Sequence, residues 1–383
     1  MRYIYQQERW PAFTWQMQIL AEPLATARFR QGLLFGQMNT LLPNIRSKAG
    51  LETFTLELLN SASLDGEDFC KDELRSIFAH KLGINIGETC SVGKEGQEGL
   101  EALVNMLLDA VNNCKQPLDA LRLQGWCAQA GCPESRLKNI LHTAKTGVKQ
   151  LLSGHLKHYK INFEPLPAAD LEQNLTCFLN WLNAPLQTNS NLRGPDKNDL
   201  DPFLEAGIAY LWFMTIQPFG ANSGQMGRAI INYVLARAAY EDSRDYYFSI
   251  SEEMTKHCKE HYAMLSQTQR GDLDITAWLL WFIKRIHGAL DQAFADFGAV
   301  MRKARIWESA SFKPLNVRQK QVLNYMLDNS LEEIVTDKYA KAAKCSPDTA
   351  WRDIRELVEL NVLGRNPEKG RRTSYFLVDE AQV

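Results

Sequence analysis

Residues 202–228 read PFLEAGIAYLWFMTIQPFGANSGQMGR, and this stretch decides the fold. Its first part, Pro202–Ile216, is almost entirely apolar, which is typical of a helix at the centre of a bundle. A second apolar helix is predicted over Gly227–Tyr240, so Thr215–Arg228 is a turn between two core helices. The start of a helix presents free N–H groups and the positive end of its dipole. The turn is therefore a candidate anion site.

Helical spacing of apolar residues continues through most of the chain, beginning with the stretch from Trp15 to about Leu42. Further helices are predicted over Leu51–Ser61, Lys71–Leu82, Leu100–Asn113, Pro117–Ala130, Ser135–Leu152, Leu171–Leu182 and Ile275–Val300. The segment His155–Glu164 alternates instead, and Pro165 and Pro167 follow it, so it is a candidate short hairpin. The predicted fold is mainly α, a helical bundle with one short β-hairpin.

A separate module is predicted from residue 311 to residue 383. Three helices, Val317–Asp328, Thr336–Ala343 and Pro347–Leu360, precede a strand, a basic glycine turn and a strand over Arg365–Val378. This order is typical of a winged helix-turn-helix domain.

Duplex DNA is a candidate partner of this module. From Lys313 on it holds twelve Lys/Arg against eleven Asp/Glu, so binding would depend on clustered cations. Those are Arg352 and Arg355 on the third helix, together with the predicted wing residues Lys369, Arg371 and Arg372. The alternative is a winged helix used for protein contact or dimerisation, so a homodimer stays open.

Composition sets the remaining expectations. The 383 residues suffice for two or three domains, and a net charge of −2 gives no overall attraction to nucleic acid or anionic lipid. Eight cysteines form no C-x-x-C pair, which is typical of reduced thiols in a cytosolic protein. No stretch approaches about 18 consecutive apolar residues, so we expect a cytoplasmic protein with no membrane partner.

The turn resembles the motif of the Fic family, which reads His-Pro-Phe-x-Asp/Glu-Gly-Asn-Gly-Arg-x-x-Arg. Aligned without gaps, four positions agree: Pro218, Phe219, Gly224 and Arg228. The others differ, with Gln217 for the histidine, Ala221 for the acid, Asn222 and Ser223 for Gly-Asn, and Gln225 for the first arginine.

The resemblance extends beyond the motif. Tyr210 stands where a histidine is common in the entering helix, and residues 271–282 (GDLDITAWLLWF) resemble the family segment D-x-T-x-W-L-x-F. The pattern of Trp15, Gln31-Gly32 and Gly36 resembles the N-terminal extension of a bacterial subgroup that commonly ends in a winged helix. The resemblance implies a helical extension over 1–110, a Fic-like core over 111–310 and the winged helix over 311–383.

The family histidine is the general base that takes the proton from a target hydroxyl as it attacks the α-phosphate of ATP. Gln217 is an amide without basicity near neutral pH, and losing a positioned base costs about 10²–10⁴ in rate. The family acid holds Mg²⁺, and Ala221 offers no ligand, so Mg²⁺ is doubtful. The resemblance therefore implies a protein that is not an efficient AMP-transferase.

Anion binding could survive these losses, with ATP or another nucleotide as the candidate ligand. The residues for it are Asn222, Ser223, Gly224 and Arg228. The alternative is a packed turn that binds nothing.

The family also has an inhibitory helix with the pattern Ser/Thr-x-x-x-Glu-Gly, whose carboxylate pairs with the last arginine of the motif. Ser61-Ala-Ser-Leu-Asp-Gly66 resembles it, with Asp65 for Glu. Because Asp is one methylene shorter, we expect a longer or water-bridged contact with Arg228. The alternative is a polar helix interruption at Asp65 and Gly66.

The candidate hairpin falls where the family places the flap that docks a target segment, so residues 155–167 are a candidate site for a protein target. Together these residues suggest a degenerate Fic protein that acts as a nucleotide- or partner-sensing regulator. The alternative is a transferase of nucleotidyl or other phosphate-linked groups with altered catalytic residues.

Overall fold

The computed structural model describes residues 3–86, 97–129, 166–184, 194–195, 197, 200–219, 223–239, 246–311, 315–328, 333–366 and 373–378. The predicted helix Ser135–Leu152 and the hairpin His155–Glu164 lie outside these residues.

The described part of the chain is mainly helical, which confirms the predicted class. After a short 3₁₀ turn at Ile4–Gln6, the helices are α1 Met17–Asn39, α2 Pro43–Leu64, α3 Lys71–Leu82, α4 Gln97–Asn112, α5 Ala120–Gln129, α6 Ala168–Asn183, α7 Pro202–Ile216, α8 Ser223–Ala239, α9 Ile250–Lys256, α10 Cys258–Gln269, α11 Thr276–Ser311, α12 Val317–Asp328, α13 Thr336–Ala343 and α14 Pro347–Glu359. Two of these, α9 and α10, were not predicted. Helix α2 begins eight residues before the predicted start, with Pro43 in its first turn.

Helix α7 forms the centre of the larger unit. Every side chain from Phe203 to Ile216 is buried, and α7 packs against α6 and α8. The ring of Tyr210 lies so close to Gly227 of α8 that a Cβ there would meet it at 2.9 Å. Glycine at residue 227 therefore lets α8 approach α7 closely.

Helix α2 is part of the same core and packs against α9 and α3. Its middle carries the buried carboxylate of Glu57, which accepts hydrogen bonds from Asn232 of α8 and from Ser249 and Ser251 at the start of α9. These bonds tie α2 to two helices that are distant in sequence.

The chain divides into two compact units, Met1–Ala293 and Phe294–Val383. The smaller unit packs α12, α13 and α14 around a core that includes Val322, Ile354 and Leu357. The predicted domain ranges 1–110, 111–310 and 311–383 stay predictions. No helix among the described residues is long and apolar enough to cross a membrane.

The smaller unit also contains a three-stranded antiparallel sheet. Its strands are β1 Glu333–Val335, β2 Leu363–Arg365 and β3 Ser374–Leu377, in the order β1-β3-β2. Strand β3 lies within the predicted hairpin Arg365–Val378, whereas β2 begins two residues before it and shares only Arg365 with it. Strand β1 was missed, because three residues are too few to show an alternating pattern.

Candidate functional site

The turn between α7 and α8 begins with a left-handed residue. Gln217 closes α7 with φ 47° and ψ 56°, and its N–H donates to the carbonyl oxygen of Phe213 at 2.9 Å. A non-glycine residue seldom adopts this conformation. The Oε1 atom of Gln217 is buried, and it has no hydrogen-bond partner among the described residues. Ala221 and Asn222 lie outside the described residues.

Ser223 opens α8 and closes the turn. It is buried, and its Oγ accepts a hydrogen bond from the N–H of Phe219 at 3.2 Å. Ser223 is predicted to donate a hydrogen bond from its hydroxyl to a phosphate. Its oxygen would still accept the hydrogen bond from Phe219 within the turn.

Arg228, in the second turn of α8, is buried with a relative exposure of 1%. Its Nε donates to Ser61 Oγ at 2.7 Å, and its Nη2 donates to the Ser61 carbonyl oxygen at 2.8 Å. The same Nη2 forms an ion pair with Asp65 Oδ2 at 2.6 Å. The contact between Asp65 and Arg228 is therefore direct. The prediction of a longer or water-bridged contact, made because Asp is one methylene shorter than Glu, is wrong.

The residues that make these contacts belong to the α2 end segment, which is Ser61–Glu67. Gly66 has φ 83°, a left-handed conformation that glycine adopts without strain, and this lets the chain turn after Asp65. Glu67 then accepts a hydrogen bond from Gln225 Nε2 at 3.0 Å. The segment is thus attached to α8 through two side chains, Arg228 and Gln225.

Asp65 also covers the start of α8. A Cβ on Gly224 would meet Asp65 Oδ1 at 2.6 Å, so the carboxylate lies directly against this glycine. A carboxylate near a helix N-terminus is favoured by the helix dipole. Asp65 therefore lies where an anion bound at Gly224 and Arg228 would place its own oxygens.

Electrostatics keeps Arg228 charged in this buried place. Burial opposes the charged guanidinium, but Asp65, Tyr210 and Tyr262 together outweigh burial and raise the pKa of Arg228 above its ordinary value. Burial raises the pKa of the Asp65 carboxyl, and the Arg228 guanidinium opposes this shift.

A buried cluster of rings lies beside Arg228. The hydroxyl of Tyr210 and Nε2 of His261 are 3.1 Å apart, and the hydroxyl of Tyr262 donates to the Leu64 carbonyl oxygen at 3.2 Å. Burial lowers the pKa of His261 to about 3, with Arg228 adding to the effect. Burial also raises the pKa of Tyr210 to about 12. Both side chains are therefore neutral near pH 7.

His261 gives a prediction for the pH dependence of stability. Its folded pKa is depressed below the model-peptide value of 6.5, so its contribution is complete above about pH 6.5 and is lost as pH falls towards 3. The stability difference between the wild type and H261Q is expected to shrink by about 1–2 kcal/mol between pH 7.5 and pH 5. Urea denaturation of both proteins across this range measures it.

The variant H257Q is the matched control, because the side chain of His257 is 37% exposed and lies near the carboxylates of Glu253 and Glu260. A constant difference between wild type and H261Q at all pH values would contradict a neutral, buried His261.

Sequence reasoning missed several residues of this site. Glu67 follows Gly66 directly, so its contact with Gln225 could have been considered. His261 and Tyr262 lie in α10, a helix that was not predicted, and no local signal connected them with Arg228.

The loss of the magnesium ligand at residue 221 stays a prediction, because residues 220–222 lie outside the described part of the chain. Asp65 is the carboxylate that lies against Gly224, and it is already paired with Arg228. Among the described residues, no group of three or more His, Cys, Asp and Glu side chains could hold a metal ion.

The predicted DNA-binding residues are only partly described. Arg352 and Arg355 are exposed on α14, and Arg355 Nε forms a hydrogen bond with Glu359 Oε1 at 2.9 Å. Lys369, Arg371 and Arg372 lie outside the described residues, as do His155–Glu164 of the candidate protein-target site. DNA binding and target docking stay predictions.

Comparison with known proteins identifies three similarities. Residues 3–84, which include the α2 end segment, match a family described as a domain of unknown function (DUF4172). A Fic family protein from Desulfovibrio desulfuricans G20 is similar over 96% of this chain and 98% of its own, at 13% identity and a TM-score of 0.48. A Fic domain containing signaling protein from Bacteroides thetaiotaomicron VPI-5482 is similar over 71% of this chain and 97% of its own, at 16% identity and a TM-score of 0.47. No curated protein matches the chain.

Proposed function

We propose that this chain is a Fic-like protein with a degenerate active site, which acts as a regulator or interaction protein and not as an efficient AMP-transferase. The observation that carries the proposal is the direct ion pair between Arg228 and Asp65 beside a turn that has Gln217 at the position of the family base. The turn keeps Arg228, the arginine that would bind an anion, but this arginine is already paired with Asp65 of the same chain.

The chemistry of the turn supports this proposal. A general base must accept a proton, and the amide of Gln217 cannot do so near neutral pH. Transfer of a phosphate-linked group also needs cations to neutralise the triphosphate. Arg228 is committed to Ser61 and Asp65, and Gln225 brings no charge where the family has its first arginine.

A nucleotide remains the candidate ligand in a state where Asp65 has left Arg228. The free N–H groups at the start of α8 and the guanidinium of Arg228 would then face the same anion. Binding without transfer is what a nucleotide-sensing regulator requires.

The test is label transfer from ATP. Purified protein, Mg²⁺, α-labelled ATP and a bacterial lysate are expected to give no labelled bands, and Q217H alone is expected to give none either. A control variant tests whether the fold can support transfer when the family residues are restored. It combines D65A with Q217H, A221D, N222G, S223N and Q225R.

Labelled bands from the unaltered protein that disappear in R228M would overturn the proposal. That result would establish the alternative, a transferase with altered catalytic residues.

A further inference from the structure

The outer face of α14 carries a large exposed aromatic side chain. Trp351 is 52% exposed, and the guanidinium of Arg355 lies over its ring, 5.8 Å from the centroid. The opposite face of α14 is buried through Ala350, Ile354 and Leu357. Tryptophan and arginine are, with tyrosine, enriched in the energetic centres of protein interfaces.

The charges on this face do not suit a polyanion. Its exposed charged residues are Asp348, Arg352, Arg355 and Glu359, with two carboxylates against two guanidinium groups. Glu356 lies at the edge of this face and accepts a hydrogen bond from Gln319 Nε2 of α12 at 2.8 Å. Arg355 is also hydrogen-bonded to Glu359. Affinity for DNA phosphates needs a surplus of cations, so the described face of α14 favours a protein surface of mixed charge.

The order of these residues is self-complementary. Asp348, Trp351, Arg352 and Arg355 follow one another at helical spacing on one face. If two copies of α14 cross antiparallel, with the two-fold axis midway between Trp351 and Arg352, each Trp351 meets an Arg352. Each Asp348 then meets an Arg355. A parallel arrangement would instead place identical charges against each other.

We propose that this face of α14 binds the same face of a second copy of the chain, in an antiparallel two-fold contact. Closed two-fold dimers are the commonest oligomers, and they require a patch that is complementary to itself. The contact stacks the Arg352 guanidinium on the Trp351 ring, an arrangement that stabilises both groups. The contact uses no residue of the turn between α7 and α8. A result against the dimer would therefore not contradict the proposed function, and a result against the proposed function would not contradict the dimer.

The test is sedimentation velocity of the full-length protein over a wide concentration series. The wild type is expected to form dimers reversibly. W351A is expected to weaken the dimer by at least about tenfold, the effect of losing a central aromatic contact. K320E, which changes an exposed charge on α12, is the control and should leave the dimer unchanged.

Charge reversal then tests the geometry. D348K and R355E each place like charges together twice in a homodimer, so each alone should weaken it by about tenfold or more. An equimolar mixture of D348K and R355E restores both opposite-charge pairs, so the mixed dimer should form again. Since the altered side chains are exposed, circular dichroism of each variant should match that of the wild type.

A wild type that stays monomeric, a W351A protein that dimerises like the wild type, or a mixture no better than its separate components would each overturn the proposal. Loss of duplex DNA retardation at low salt in R352A, with no change in mass, would show that the face binds DNA instead.

Discussion

Replacing Glu57 with alanine is expected to destabilise the larger unit by about 3–5 kcal/mol, the cost of deleting one partner of a buried charged network. Glu57 is 1% exposed. Its Oε1 accepts from Asn232 Nδ2 at 2.9 Å and Ser251 Oγ at 2.5 Å, and its Oε2 accepts from Ser249 Oγ at 2.7 Å and Ser251 N at 3.0 Å. Alanine would leave four donors buried without this acceptor.

The variant E57Q separates charge from shape. Its amide fits the same space and keeps one acceptor oxygen, but in either orientation its NH₂ group meets a donor, the backbone N–H of Ser251 or Nδ2 of Asn232. We therefore expect E57Q to cost about half as much as E57A. Chemical denaturation followed by far-ultraviolet circular dichroism measures both variants. A cost below about 1 kcal/mol for E57A would contradict the network as a source of stability.

The Glu57 network matters for the candidate site because Glu57 and Asp65 belong to the same stretch of chain. Glu57 fixes the middle of α2 on α8 and α9, and the α2 end segment begins at Ser61, one helical turn later. Tyr246, whose hydroxyl donates to Asn232 Oδ1 at 2.6 Å, extends the network. The position of Asp65 over Gly224 therefore follows from packing of the whole helix and not from the ion pair alone.

The helices could be predicted where one apolar period covers their length. Helix α7 has its predicted bounds, because Asp201 caps it and Ile216 precedes the turn residue Gln217. Helix α3 ends at Gly83, which has φ 67°, as the C-terminal glycine signal indicates. Helix α9 has only seven residues, which is too few for a clear apolar period. Helix α10 buries the polar residues His261 and Gln269, so its buried face does not read as apolar.

The site was only partly predictable. Ser61, Asp65 and Arg228 were selected because they resemble family motifs, and the structure brings all three together. The partner of Gln225 and the cluster of Tyr210 with His261 depend on contacts between elements far apart in sequence. A single sequence holds no local signal for such contacts, since they follow from how the helices pack.

Replacing Asp65 with alanine is expected to cost about 2–3 kcal/mol of stability and to increase the affinity of the turn for polyphosphate anions. Arg228 would remain buried with Ser61 as its partner, and a buried charge without its counter-ion is strongly destabilising. The expected cost is below the full range for a buried pair because the Asp65 side chain is 20% exposed, so water can reach the vacated position.

The matched control is D65N, whose amide oxygen can still accept the hydrogen bond from Arg228 Nη2 while its charge is lost. It should lose less stability than D65A and gain less affinity. G224A should also move Asp65 away from Arg228, because a Cβ at residue 224 would lie 2.6 Å from the present position of Asp65 Oδ1 and displace it.

Calorimetric titration with pyrophosphate and with ATP measures the affinity, and denaturation of the same samples measures the stability. Affinity should rise in D65A because one guanidinium cannot serve a carboxylate and a phosphate fully at once. The gain should vanish in the double variant D65A/R228M, since the anion would then have lost its charged partner. If D65A loses stability without gaining affinity for either anion, the ion pair only holds α2 on α8, and the turn is a packed connection that binds nothing.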